Sequence, residues 1–121
     1  MMPENEAKIQ EMTQVIVDAI APQQVILFGS YARGTAKENS DLDLMIIADQ
    51  PFTPAHSRRQ EMARLWRLLA RFTVPKDILI YSRDEVERWR HTKNHVITHA
   101  LQEGKVLYES LEFAQSLITK T

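Results

Sequence analysis

The sequence predicts a mixed domain of class α/β (α+β), a small mixed sheet flanked by helices, and three observations carry that expectation. Short apolar runs of strand length alternate with segments whose apolar residues recur at helical spacing. The residues AVILMFWYC make up 44% of the chain and charged residues 26%, the balance of an ordinary globular core. At 121 residues, without a repeat, low-complexity tract or linker, the chain is the size of one domain.

The elements follow in order. Ile9, Met12, Ile16, Ala19 and Ile20 share a helical face and Pro22 stops the pattern, so a first helix is expected within residues 5–21. Val25 to Phe28 is a continuous apolar run ending at Gly29, a short strand buried on both faces. Ser30 can cap a short helix, Tyr31 to Arg33, that Gly34 ends. Leu42 to Ala48 is a second strand with Asp43 embedded in it, followed by a turn-rich loop from Asp49 to Pro54. Thr53 before Pro54 marks a helix start. That helix carries Met62, Leu65, Trp66 and Leu69 on one face, with Arg58, Arg64, Arg67 and Arg71 largely off it, either as a solvated face or as a docking surface for an acidic partner.

Pro75 biases Val74 toward extended geometry, and Asp77 to Tyr81 forms a third strand. Ser82 with Glu85 three residues on is a capping-box signature for a helix over Asp84 to Arg90. Thr92 to Glu103 reads as another helix, closed by Gly104 in a left-handed cap. A strand Val106 to Tyr108 and a last helix from Leu111 to Ile118 complete the chain, the helix either closing the core or docking on a partner.

Composition excludes several classes of function. With no cysteine there are no disulfides, thiolate nucleophiles or Cys-ligated zinc. No apolar run approaches the roughly 20 residues a membrane helix requires, so no membrane role is expected. A formal charge of −1 gives no reason to expect nucleic acid as a direct partner. Met1 to Ala7 is polar and acidic, unlike a secretory leader, which makes the cytoplasm the default location.

Local chemistry concentrates in two places. Alternation along a strand projects Asp41 and Asp43 to one side, with Leu42 and Leu44 on the other. Two like charges about 4 Å apart repel by about 4 kcal/mol at an effective dielectric near 20. A divalent cation reverses the sign of that interaction, and oxygen-only donors suit magnesium or manganese. Two solvated residues at a strand entrance would read the same way. Gly29 and Ser30, however, follow a buried strand and open a helix, where backbone N–H groups bind phosphate. Together they supply two halves of a metal-nucleotide site. The spacing of Gly29 and Gly34 matches the start of a P-loop, but Thr35 and Ala36 stand where that motif needs Lys and then Ser or Thr.

Gly29-Ser30-Tyr31-Ala32-Arg33-Gly34 followed by Ser40-Asp41-Leu42-Asp43-Leu44 resembles the nucleotidyltransferase superfamily that includes the DNA polymerase β palm. In size and layout the chain is similar to its minimal nucleotidyltransferase (MNT) branch, including the closing segment Ala100 to Tyr108. The resemblance implies an N-terminal helix over 5–21, a catalytic core over 25–82 and C-terminal helices over 84–119 in one domain of residues 1–121. It also implies that Asp41 and Asp43 hold two magnesium ions, with manganese an alternative. Gly29 and Ser30 would grip the triphosphate of ATP, and Asp77 would be third carboxylate, general base and shared metal ligand. The alternative reading of Asp77 is a strand-edge residue in contact with Lys76 or solvent, and the site reading is favoured. Arg33 and Ser40 are further phosphate contacts on this reading, though Arg33 also fits a plain surface position.

For the MNT branch the resemblance implies transfer of AMP to a tyrosine of a HEPN toxin, as its antitoxin; whether the chain acts alone or in a homo- or hetero-oligomer is left open by the sequence. Two rival readings are an antitoxin that neutralises by binding alone and a transferase acting on a small molecule such as an aminoglycoside. The absence of a second domain to enclose a small molecule weighs against the latter. His91, His95 and His99, spaced four apart, could stack on one helix as a metal site but are expected to face solvent. Trp66, Trp89 and the phenylalanines are expected in the core rather than as base-stacking platforms.

Overall fold

The computed structural model describes residues 3–119, with side chains described for residues 5–116. Met1, Met2 and the side chains of Leu117 and Ile118, assigned above to the apolar face of the last helix, lie outside the described residues. The elements run α1 (Pro3–Ile20), β1 (Gln24–Phe28), α2 (Gly29–Arg33), β2 (Leu42–Ala48), α3 (Arg58–Leu69), β3 (Lys76–Ser82), α4 (Arg83–Trp89), α5 (Val96–Glu103), β4 (Lys105–Glu109) and α6 (Leu111–Thr119). None of the described helices is long and apolar enough to cross a membrane.

The four strands form one mixed sheet in the order β3-β2-β1-β4. β1 runs antiparallel to both β2 and β4, while β2 and β3 are parallel. A parallel pair needs a long crossover, and the loop with α3 supplies it. Both central strands are buried on both faces, as their unbroken apolar runs require. One face, with Val25, Leu27, Leu44, Ile46, Ile78 and Ile80, packs on Ile9, Met12 and Ile16 of α1 and on Leu65 and Leu69 of α3. The other, with Ile26, Met45 and Ile47, packs on Val86 of α4 and on Ile97 and Ala100 of α5. Each fully buried leucine or isoleucine here contributes roughly 1.5–3 kcal/mol of transfer free energy.

Several local expectations are corrected. Ser30 does not cap α2; it lies inside that helix, whose N-cap is Phe28, while Gly34 does close it in the left-handed region at φ 76°. The third helix does not start at Thr53–Pro54. Thr53 and His56 instead close a small turn, exchanging two backbone hydrogen bonds, and α3 begins after Ser57, which forms a full capping box with Gln60. α5 does not start at Thr92: Asn94, at φ 65°, breaks the chain direction, and His95 is the N-cap, its Nδ1 accepting the Ile97 N–H at 3.1 Å. Trp66 and Trp89 are not core residues, being 40% and 39% exposed. Trp66 carries the Lys76 ammonium 5.6 Å from its ring centre, and Trp89 stacks on His95 at 5.1 Å. The capping box of Ser82 and Glu85 is present as expected.

Gly104 also differs from expectation: its φ of −77° is extended, not left-handed. Its role is close packing. A Cβ there would overlap the Ala100 carbonyl oxygen and stand 2.5 Å from Ile26 Cγ2 and 3.0 Å from the Leu27 carbonyl oxygen. Backbone on two sides leaves no room to yield, so Gly104→Ala should lower stability by about 1–3 kcal/mol. The check is a drop in the urea midpoint at unchanged slope.

Candidate active site

The candidate site assembles at one end of the sheet, on the face shared with α4 and α5. Asp43 is the first outward residue of the row Asp43, Met45, Ile47, whose inner members are covered while Asp43, at the strand end, is half-buried. In the parallel pairing Asp43 stands in register with Asp77, so neighbouring strands turn the two carboxylates to the same face. Asp41 immediately precedes β2 and is exposed, as is Asp77. On the other side of β2, Asp43 is the register partner of Phe28, and the chain turns sharply at the next residue.

That residue, Gly29, has φ 73°. A Cβ on Gly29 would overlap Asp43 Oδ2 and stand 3.1 Å from its Cγ. The carboxylate therefore occupies the space a side chain at 29 would fill, and glycine serves both the left-handed turn and the close approach. Ser30 follows on α2, its hydroxyl making no hydrogen bond among the described residues. Arg33, at the end of α2, pairs with Glu103 of α5 at 3.1 Å, an exposed contact that ties α2 to α5. Glu103 has no signal in the sequence beyond its place near the end of a helix. Ser40 lies further out, its Oγ accepting the Lys37 N–H at 2.7 Å.

The electrostatics mark Asp43 as the strained member. Burial first, then Asp77 and Asp41, raise its carboxyl above the ordinary value, against an opposing pull from Arg33. The site thus carries negative charge that its own arginine does not neutralise. Among the described residues no three Asp, Glu, His or Cys side chains converge as a ready-made metal cage. The carboxylates form an open set instead, whose hard oxygen donors and uncompensated charge fit a magnesium-type ion that keeps ligand positions for water and phosphate. The three histidines do not form a metal site: His91 lies in the turn after α4, His95 caps α5, and only His99 lies within that helix.

A pH dependence follows. A carboxyl with a raised folded-state value holds its proton more tightly in the folded chain. It therefore favours folding below the unfolded value of 3.8 and loses that contribution as pH rises through the folded value. With divalent cations chelated, wild type should lose stability relative to Asp43→Asn as pH climbs from about 4. Urea midpoints of the two chains across that range isolate Asp43 from the other carboxylates.

Comparisons with known proteins identify the family and the fold. The profile of the family described as polymerase beta, nucleotidyltransferase, matches residues 10–112. Two Methanocaldococcus jannaschii proteins, each named as a candidate protein adenylyltransferase, are 32% identical to the chain. One match spans 89 residues, 71% of this chain and 78% of the relative, and the other 71 residues, 59% and 65%. Among solved structures, a chain of a toxin–antitoxin complex with AMP-PNP superposes with TM-score 0.53 at 20% identity, covering 92% of this chain and 85% of the other. A chain of the tri-AMPylated Shewanella oneidensis HEPN toxin in complex with MNT antitoxin gives TM-score 0.53 at 17% identity, covering 95% and 81%. A candidate nucleotidyltransferase from Sulfolobus solfataricus gives 0.55 at 16% identity, covering 85% and 78%. The structural likenesses bear on the fold, and the profile and the longer 32% match on descent. With strand, glycine turn and carboxylates all inside the matched span, the chain belongs to the polymerase β nucleotidyltransferase family.

Proposed function

We propose that this nucleotidyltransferase moves AMP from Mg-ATP to a tyrosine hydroxyl of a HEPN-type toxin protein, acting as its antitoxin in the cytoplasm. The observation that carries the reading is the register pairing of Asp43 with Asp77 beside the left-handed Gly29. The names of the two archaeal relatives, and the AMP-PNP and the AMPylated HEPN toxin in structural neighbours, support a protein acceptor and an adenine nucleotide.

Asp41, Asp43 and Asp77 are the residues that would hold two magnesium ions, or manganese in their place. Bound there, such ions would supply Lewis acidity toward the acceptor hydroxyl and the departing phosphate oxygen. The chain's own groups do the rest. Backbone N–H groups at Gly29 and Ser30, the Ser30 hydroxyl, and in support Arg33 and Ser40, hold the β- and γ-phosphates. Asp77 takes the acceptor's proton as the tyrosine oxygen bonds to the α-phosphorus. The bond from that phosphorus to the bridging oxygen breaks, and pyrophosphate leaves.

The test is mass spectrometry of the neighbouring gene's product after incubation with this chain and Mg-ATP. AMP on a tyrosine, absent with chelator and absent with Asp41→Asn/Asp43→Asn/Asp77→Asn, is the expected result. An unmodified partner sinks the reading. Full protection of cells by the triple variant would assign neutralisation to binding alone, and antibiotic resistance on expression would assign a small-molecule acceptor.

A further inference from the structure

The outer side of α3 carries a charge pattern that the carboxylate site does not use. Residues 58–71 hold five arginines against the single acid Glu61, in a chain whose formal charge is −1. Leu65 and Leu69 define the buried side of the helix. At about 100° per residue Arg59, Ala63, Arg67, Ala70 and Arg71 fall away from them, and all five are exposed. Arg58 is committed to Glu85, and Arg64 donates to the Ala19 carbonyl at 2.9 Å. Among the described residues neither Arg59 nor Arg67 has an acidic partner. The alanines between them leave room for a surface to approach closely.

The ridge lies on the opposite face of the sheet from the carboxylates, beneath the edge strand that carries Asp77. β3 is an edge strand, and α3 lies beneath it, with Leu65, Leu69 and Phe72 in one cluster with Ile78 and Ile80. Lys76, the residue before Asp77, joins the two by donating to the Phe72 carbonyl at 2.7 Å. Across the sheet the site runs from Gly29 after β1, through Asp43 on β2, to Asp77 on β3. In an in-line displacement the attacking oxygen enters opposite the leaving group. With pyrophosphate held at the Gly29 turn, the attacking hydroxyl comes over the open edge of β3.

We propose that the arginine ridge of α3 docks an acidic surface of the acceptor protein, which then reaches round the β3 edge to present its hydroxyl beside Asp77. The proposal rests on the protein-acceptor reading above. Nucleic acid, the other polyanion arginines attract, fits less well, because such surfaces interleave free aromatic rings for stacking and Trp66, the aromatic ring of α3, already carries the Lys76 ammonium. The same acidic surface is repelled by Asp41, Asp43 and Asp77, so charge fixes its orientation as well as its approach.

The experiment is calorimetric titration of the HEPN-type protein into chains that all carry Asp43→Asn, so that binding is read apart from transfer, at low and physiological ionic strength. The Arg59→Glu/Arg67→Glu chain should bind at least about 10-fold more weakly at low salt, with a flattened salt dependence, while Arg59→Lys/Arg67→Lys stays close to the parent. In the catalytically intact background the Glu pair should raise KM for the acceptor and leave kcat and KM for ATP unchanged. Parental affinity in the Glu chain overturns the proposal. So does a ridge that binds single-stranded oligouridylate while acceptor binding survives its charge reversal. Charge-dependent acceptor binding by a chain that never transfers AMP would uphold the ridge and sink only the adenylylation reading.

Discussion

Asp43→Asn is expected to lower AMP transfer by about 10³-fold or more in kcat/KM while leaving the metal-free protein at least as stable as wild type. Asparagine keeps the shape of the side chain and removes its charge. That charge is opposed by burial and by Asp77 and Asp41, so its loss relieves the fold while it removes an oxygen that the proposed mechanism uses. Opposite signs for activity and stability separate a functional carboxylate from a structural one. The measurements are single-turnover transfer of labelled AMP and thermal melting in chelator. Activity within 10-fold of wild type, or a clear fall in melting temperature, would remove Asp43 from the mechanism.

The second large effect is expected from two glycines compared with each other. Gly29 and Gly34 both occupy the left-handed region, at φ 73° and 76°, so alanine at either position carries backbone strain of about 1–2 kcal/mol. They differ in what surrounds the new methyl group. At Gly34 nothing lies within 4 Å, whereas at Gly29 the methyl overlaps the Asp43 carboxylate, which must swing aside. A misplacement of about 1 Å can cost on the order of 10²-fold in rate. Gly29→Ala should therefore lose transfer activity on that scale and Gly34→Ala should not, with similar shifts in the urea midpoint. Equal activity losses would mean that the strained turn, and not the contact with Asp43, is what transfer depends on.

How much of this was legible in the sequence depends on the range of the interaction. Leu42 to Ala48, the Ser82–Glu85 capping box and the Gly34 terminus are set by neighbours within a few residues, and all three are found as expected. The start of α3 was misread because Thr53–Pro54 and Ser57-Arg58-Arg59-Gln60 are both local start signals, and the second satisfies its backbone groups reciprocally where the first closes a turn. Trp66 fits a helical face, but the sheet beneath α3 is already covered by Leu65 and Leu69, while Trp89 of α4 stacks on His95 instead. Asp41, Asp43, Gly29 and Ser30 were visible as residue types in a familiar spacing. The contact of Gly29 with Asp43, the pairing of Arg33 with Glu103 and the strand order depend on residues far apart in the chain, which periodicity does not report.

The register of β2 against β3 has one more consequence. Sliding β3 by a single residue would set Lys76 or Ile78 opposite Asp43 and turn Asp77 toward the α1–α3 core, because side chains alternate along a strand. Such a molecule would keep nearly the same helix and strand content and, with Asp77 acting as proposed, would be inert. After refolding, circular dichroism would count both populations together, whereas an activity titration would count only the chains that zipped β3 correctly. Transfer activity would thus report strand alignment that secondary-structure content does not register.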